Sequence, residues 1–280
     1  INDFMDDLIF KKHPPDWNYK EILEQIEIFS DIYENRPIRN NKGGMKFPHA
    51  FALYFILKKI NPSLVIESGV FKGQSTWLIE KTLPNANLIC LDIDLSKRVY
   101  ISKKAKYSNL DFKFNDFSKI PENTLVLFDD HVNHINRIKE ASFFNIKNIV
   151  LEDNYKINTG DFQTIKHCFG KHSFNHKMNK LSAIKTTYLF IKIVLKKIFY
   201  KEFNANKDLN LILNRIRDYD LYNNEFNDIE KIIDTYFEFP PILPQKFRTE
   251  KPLMENLSNS LKKYSTELDD YNHLTFIKLK

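Results

Sequence analysis

The spacing of apolar and polar positions divides the chain into helices and short apolar runs. Residues 1–36 hold a polar lead-in and one amphipathic helix, about Tyr19 to Tyr33, with Ile22, Leu23, Ile26 and Phe29 on one face. A second helix runs from about His49 to Ile60. It stops at Asn61-Pro62, because proline disfavours helix before it and cannot continue one. Then come a β-branched run at Val65 and Ile66, a helix opening at Trp77 to Lys81, and a strand from Asn87 to Asp92. Leu110 to Asp116 alternates and predicts a third strand. Thr124 to Phe128 and Asn148 to Leu151 are continuous apolar runs, as in parallel strands buried on both faces. Alternating strands and helices predict an α/β fold. Past Tyr155 the pattern loosens. It predicts helices at Leu209–Tyr219, Asp228–Tyr236 and Leu253–Leu268, an extended Phe237–Pro244, and a closing strand at His273–Lys280.

The most informative stretch is Leu64 to Thr76, in which Glu67 stands at the tip of the first strand and Gly69 and Gly73 punctuate the turn before Ser75 and Thr76. Glycines let the backbone pass close to a ligand, and the following helix offers free N–H groups. A dinucleotide fingerprint needs G-x-G-x-x-G, whereas this turn reads E-x-G-x-x-x-G-x-S. A carboxylate at the strand tip repels pyrophosphate and suits a cationic ligand such as S-adenosylmethionine.

Glu67-Ser68-Gly69-Val70-Phe71-Lys72-Gly73-Gln74-Ser75 resembles motif I of class I S-adenosylmethionine-dependent methyltransferases, and most of all the metal-dependent O-methyltransferases of the catechol and macrolide-sugar types. The resemblance spans about residues 40–155. It implies a Rossmann-like sheet, parallel except for an antiparallel last strand, with a helical lead-in (1–48), a cofactor-binding core (49–160), a helical cap or insertion (161–272) and a last core strand (273–280). It further implies that Glu67, Ser68, Gly69, Phe71, Gly73 and Ser75 meet the cofactor, and that Gly43 and Gly44 close over its methionine end. Asp92, at the end of the second strand, can accept from both ribose hydroxyls. Asp116 resembles the adenine-contacting acid of the family, and equally reads as a turn residue.

Acids gather after the two buried strands, as Asp129-Asp130-His131-Val132-Asn133-His134 and as Glu152-Asp153-Asn154. Ligands bind beyond the carboxyl ends of such strands. Crowded carboxylates there repel one another unless a cation lies between them, and oxygen ligands select a hard ion, Mg²⁺ first and Mn²⁺ or Ca²⁺ next. The catechol-type pattern maps metal oxygens onto Asp130, Asp153 and Asn154, and the macrolide-sugar pattern onto Glu152 and Asp153. The lysine base of the former type is replaced here by Asn133. The latter type uses a histidine, which leaves His134 as the expected base with His131 as the alternative.

Composition narrows the class. The 280 residues are 42% hydrophobic and 14% aromatic, enough for a sizeable core. Cys90 and Cys168 make no disulfide framework, which fits a reducing cytoplasm, and no signal peptide is visible. The run from Tyr188 to Tyr200 is broken by Lys192, Lys196 and Lys197 and is too short to span a bilayer. A net charge of +6 comes without any nucleic-acid motif. Phe162 to Lys201 holds lysines and histidines but no acid, which fits an anionic or glycan-phosphate acceptor, a peripheral membrane contact, or simply a solvated helix. The expectation is a cytoplasmic, Mg²⁺-assisted O-methyltransferase acting on a hydroxyl of a sugar, glycan or secondary metabolite, with oligomeric state left open. The competing readings are a metal-independent O- or N-methyltransferase and a non-catalytic binding domain.

Overall fold

The computed structural model describes residues 15–155, 162–166, 228–244, 251–268 and 274–280. Helix α1 (Tyr19–Glu34) starts at Asn18, whose side chain accepts from the Lys20 N–H at 2.8 Å, as an N-cap should. It buries Ile22, Ile26, Phe29 and Tyr33 against α2 (Phe47–Ile60), which is apolar on nearly every face and buried accordingly. Asn61 ends α2 in the left-handed region, its N–H returning to the Leu57 carbonyl at 2.8 Å.

A seven-stranded sheet follows: β1 (Leu64–Ser68), β2 (Asn87–Leu91), β3 (Lys106–Ser108), β4 (Thr124–Phe128), β5 (Asn148–Leu151), β6 (Ile233–Glu238) and β7 (Thr275–Leu279). Their order is β3-β2-β1-β4-β5-β7-β6. Strands β1 to β5 pair in parallel, and β7 lies antiparallel between β5 and β6. Helix α3 (Gln74–Thr82) follows β1, and α4 (His134–Phe143) joins β4 to β5. Alternate side chains serve two cores. Val65, Leu125, Leu127 and Val150 face α2 and α3, while Ile66, Val126, Ile149 and Leu151 face Ile135 and Ile138 of α4. Among the described residues no helix is long and apolar enough to cross a membrane.

The antiparallel strand near the end of the sequence is where the alternation put it. Three other expectations need correction. Leu110–Asp116 is not a strand: β3 lies just before it, and Phe112–Phe114 forms a 3₁₀ turn opened by Asp111, which accepts from the Lys113 N–H. Only Phe112 of that segment is in the core, and Phe114 is exposed. The helix expected over Asp228–Tyr236 stops at residue 232. From Ile233 the β-branched and aromatic residues pair with β7, so the expected helical cap contributes a core strand. Leu253–Leu268 is mostly irregular, with a 3₁₀ turn at Lys262–Tyr264 and one turn of helix, α5 (Ser265–Leu268). The expected helix at Leu209–Tyr219, Cys168, His273 and most of the basic segment 162–201 lie outside the described residues.

Gly69 fixes how the sheet meets the site. Its φ is +99°, and a Cβ there would lie 1.9 Å from the Asp129 carbonyl oxygen, so the turn after β1 touches the backbone after β4 directly. We expect Gly69→Ala to lose about 3 kcal/mol or more of stability, read as a fall in the urea midpoint with the slope unchanged.

Candidate functional site

Phe128 and Leu151 are partners at the carboxyl ends of β4 and β5, so the acids that follow leave the sheet side by side. The Glu152 N–H donates to the Phe128 carbonyl at 3.0 Å, and the Asp129 N–H to that of Ser68 at 2.8 Å. Neighbouring buried carboxylates must each find a donor or a cation, and here they divide into two kinds.

Asp130 is held inward. It accepts from the Ser68 hydroxyl at 2.5 Å and from the Val132 N–H at 3.2 Å, and it pairs with Arg137 at 2.8 Å. Arg137, buried on α4, also grips Asp111 through two bonds of 3.0 and 2.8 Å and Glu140 at 2.6 Å. Burial raises the Asp130 carboxyl above its ordinary range, and Arg137 and Ser68 pull it back. Glu152 is buried too, with Oε1 2.5 Å from His49 Nδ1 at the head of α2. Asn154 spends its amide on the fold: its nitrogen donates to the Thr275 hydroxyl at 2.7 Å and the Tyr236 hydroxyl at 2.9 Å, and its oxygen accepts from the Lys166 N–H at 3.0 Å.

Asp129 and Asp153 remain, together with His131. One ligand atom from each lies within 4.8 Å of the others, and His131 Nε2 is 3.7 Å from Asp153 Oδ2. Burial, then repulsion from Glu152, Asp153 and Asp130, raises the Asp129 carboxyl well above its ordinary value. Burial and then Glu152 push Asp153 up to about 7, against the pull of Tyr155 and His131. Both residues flank a narrow cleft that Phe128, His131 and Phe162 help to line. Two carboxylates and an imidazole facing one point form a donor set that suits a divalent ion. Asp153 and His131 both have positive φ, +57° and +55°, at the sharp turns that aim them there.

His134, the expected base, lines the cleft but has both ring nitrogens engaged with backbone. It is buried at the start of α4, its Nδ1 accepts from the Ile165 N–H at 3.2 Å, and its Nε2 lies 3.0 Å from the Glu152 carbonyl. The accepting Nδ1 leaves the proton on Nε2, so both nitrogens are committed to backbone. Asn133 caps α4, accepting from the Ile135 and Asn136 N–H groups. His131, with its side chain 57% exposed, is the histidine at the rim.

On the glycine-turn side, Asp92 accepts from the Val70 and Phe71 N–H groups at 2.9 Å each and from Asp94 N–H at 2.8 Å, bracing the turn in which Phe71 has φ +47°. Gly73 has φ +87°, and a Cβ there would meet the Tyr100 carbonyl at 2.4 Å. Glu67 lies beneath the turn and is fully buried. Its Oε2 accepts from the Thr76 hydroxyl at 2.6 Å and the Cys90 thiol at 3.1 Å. Burial raises its pKa to about 7, only partly offset by Ser75, Thr76 and Cys90. Glu67 and Ser75 therefore support the turn from within. Asp94 caps the 3₁₀ turn Leu95–Lys97. Asp116 is exposed and caps a turn by accepting from the Ser118 N–H at 2.9 Å. Gly43 and Gly44 lie in the turn before α2, and Lys72 of the glycine turn donates to the Lys42 carbonyl at 3.0 Å, which brings the two segments together.

No known family model matches the chain, and no curated protein does. Solved structures similar to it include CmcI with SAH, 17% identical, spanning 52% of this chain and 80% of that one at a TM-score of 0.35. Another is the SAH-bound methyltransferase PaMTH1 of Podospora anserina, at 12% identity, 55% and 68% coverage and a TM-score of 0.35. A third is the plantazolicin methyltransferase BpumL in complex with SAH, at 18%, 49% and 63%, and 0.32. The sheet itself, in the order β3-β2-β1-β4-β5-β7-β6 with β7 reversed, is the Rossmann-like arrangement expected from the sequence. The sequence did not single out Asp129, His49 or Arg137. Asp129 was adjacent to the chosen acid, and only side-chain direction separates the two; nothing local marks His49 or Arg137.

Two consequences can be measured. Arg137→Met leaves Asp130 buried without its counter-charge and should cost about 3–5 kcal/mol, seen in urea unfolding. Glu67, with a folded pKa of about 7 above an unfolded value near 4.3, binds its proton more tightly when folded. Its contribution is fully present below about pH 4 and is lost as pH rises through about 7. Glu67→Gln should flatten the fall in urea midpoint between pH 5 and 8 and match or exceed the parent at pH 8.

Proposed function

We propose that the chain is an S-adenosylmethionine-dependent O-methyltransferase assisted by a divalent cation, with a hydroxyl of a sugar, glycan or other small molecule as the acceptor. The observation that carries this reading is the direct contact between the glycine turn and the acid cleft: Gly69 has no room for a Cβ because the Asp129 backbone is there. A donor seated on the turn would therefore lie next to an acceptor held at Asp129 and Asp153.

The chain's own residues divide the work. The N–H groups at the head of α3, just after the turn, would receive the methionine carboxylate. Asp92 is in position to exchange part of its backbone bonding for ribose hydroxyls, and exposed Ile93 beside it offers an apolar platform for the base. Asp129 and Asp153, with His131 at the rim, would hold the cation, which when bound supplies Lewis acidity that lowers the acceptor's pKa. Phe128 and Phe162 limit water in the cleft. What the turn and the carboxylates provide together is placement, which for transfer between two bound partners is a large part of the barrier.

Isothermal titration of S-adenosylmethionine and its demethylated product, with and without Mg²⁺ or Mn²⁺, tests this on the wild type and Asp153→Ala. We expect micromolar cofactor binding in both proteins and cation binding in the wild type alone. Cofactor binding without any cation effect would favour the metal-independent alternative. Absence of cofactor binding would overturn the reading.

A further inference from the structure

Asp129, Asp130, Glu152 and Asp153, at the tips of β4 and β5, all line the cleft, and two of them have an identified holder. Asp130 is taken by Arg137 at 2.8 Å, and Glu152 by His49 at 2.5 Å. What the group with donor atoms within 4.8 Å of one another retains is two carboxylates and one imidazole.

This sorting bears on which ion the cleft prefers. Mg²⁺ and Ca²⁺ favour all-oxygen surroundings, and Ca²⁺ gains from every added carboxylate. An imidazole nitrogen instead favours first-row transition ions, whose affinity for nitrogen donors climbs along the series. Among the residues surrounding the cleft, His134 cannot contribute such a nitrogen, since both of its ring atoms are engaged with backbone. His131 reaches the cleft from a left-handed turn beside Asp130.

We propose that His49 and Arg137 set the ion preference of the cleft by holding the carboxylates of Glu152 and Asp130 out of its donor group, leaving an Asp129–His131–Asp153 donor set selective for a first-row transition dication over Mg²⁺ and Ca²⁺. The inference rests on the proposed function only in taking the cleft to bind a cation. His49 is the more adjustable of the two holders. It sits at the head of a 14-residue helix, whose N-terminus is pinned independently by the Phe47 N–H donating to Glu267 at 3.1 Å. Loss of the imidazole therefore leaves the helix anchored. Glu152 needs little movement to join the donor group, because it already lines the same cleft beside Asp153. Removing His49 should therefore convert the site towards three carboxylates and a harder ion.

The experiment titrates Mn²⁺, Co²⁺, Mg²⁺ and Ca²⁺ separately into the full chain and into His49→Ala, His49→Asn and His131→Ala, with SAH binding measured alongside. In the wild type we expect Mn²⁺ and Co²⁺ to bind at least about tenfold more tightly than Mg²⁺, and the electron-spin-echo spectrum of bound Mn²⁺ to show nitrogen coupling. His131→Ala, a change at the exposed rim, should abolish that coupling and most of the preference. His49→Ala should tighten Ca²⁺ and Mg²⁺ several-fold. His49→Asn, which keeps a donor where Nδ1 stands, should resemble the wild type. Equal wild-type affinities, absence of nitrogen coupling, or a His49→Ala profile identical to the wild type would overturn the proposal. SAH binding keeps the two readings apart: SAH bound without any cation sinks this inference and spares the cofactor site, whereas selective cation binding without SAH upholds the inference and sinks the transferase.

Discussion

Crowding of carboxylates at the ends of two adjacent parallel strands is the constraint around which this molecule is built. Parallel neighbours bring their carboxyl ends to one edge of the sheet, and β4 and β5 both end in acids that burial alone would make untenable. Arg137 answers part of the problem by binding Asp130, Asp111 and Glu140 at once. A guanidinium suits this role because it stays charged when buried and presents several donors in a fixed plane. His49 takes Glu152 from the opposite side. Asp129 and Asp153 are left crowded in one cleft beside His131, an arrangement that a bound cation would relieve.

The glycine turn is organised by a separate economy of backbone groups. Asp92 receives two of the turn's N–H groups, Gly69 donates to the Leu91 carbonyl, and Gly73 donates to that of Val70. The turn is thus fixed without borrowing from the acid cleft, although Gly69 and Asp129 are in contact. Glu67 underneath serves as a buried hydrogen-bond acceptor for Thr76 and Cys90. A carboxyl that burial holds partly protonated near neutrality is a different object from the exposed anion that a strand-tip position suggests.

Much of the core was legible from sequence because its signals are local. Apolar runs at 64–66, 124–128 and 148–151 could only be buried strands, and the alternation near 275–279 marked the reversed one. Strand β6 was missed because Asp228–Tyr236 carries an apolar spacing compatible with helix, and only pairing with β7 decides otherwise. The site was legible as a neighbourhood but not residue by residue. Successive residues after a strand point different ways, so choosing among Asp129 and Asp130, or Glu152, Asp153 and Asn154, needs the directions set by Arg137, His49 and the Asn154 partners. Both histidines looked equivalent for the same reason, although His134 is bound to Ile165 and Glu152 and His131 faces the rim.

The reversed strand has a consequence for how the chain assembles. Asn148 pairs with Lys278 and Leu151 with Thr275, and Asn154 is secured by Thr275 and Tyr236. Until residues 275–279 have left the ribosome, β5 has an unpaired outer edge and the turn carrying Asp153 has none of those far anchors. Such long-range pairing is slow, and an open edge invites wrong partners in the interval. The cleft is therefore a late product of synthesis: its acids are made before the strand that fixes them in place, and the sheet that bears them waits longest for its inner neighbour.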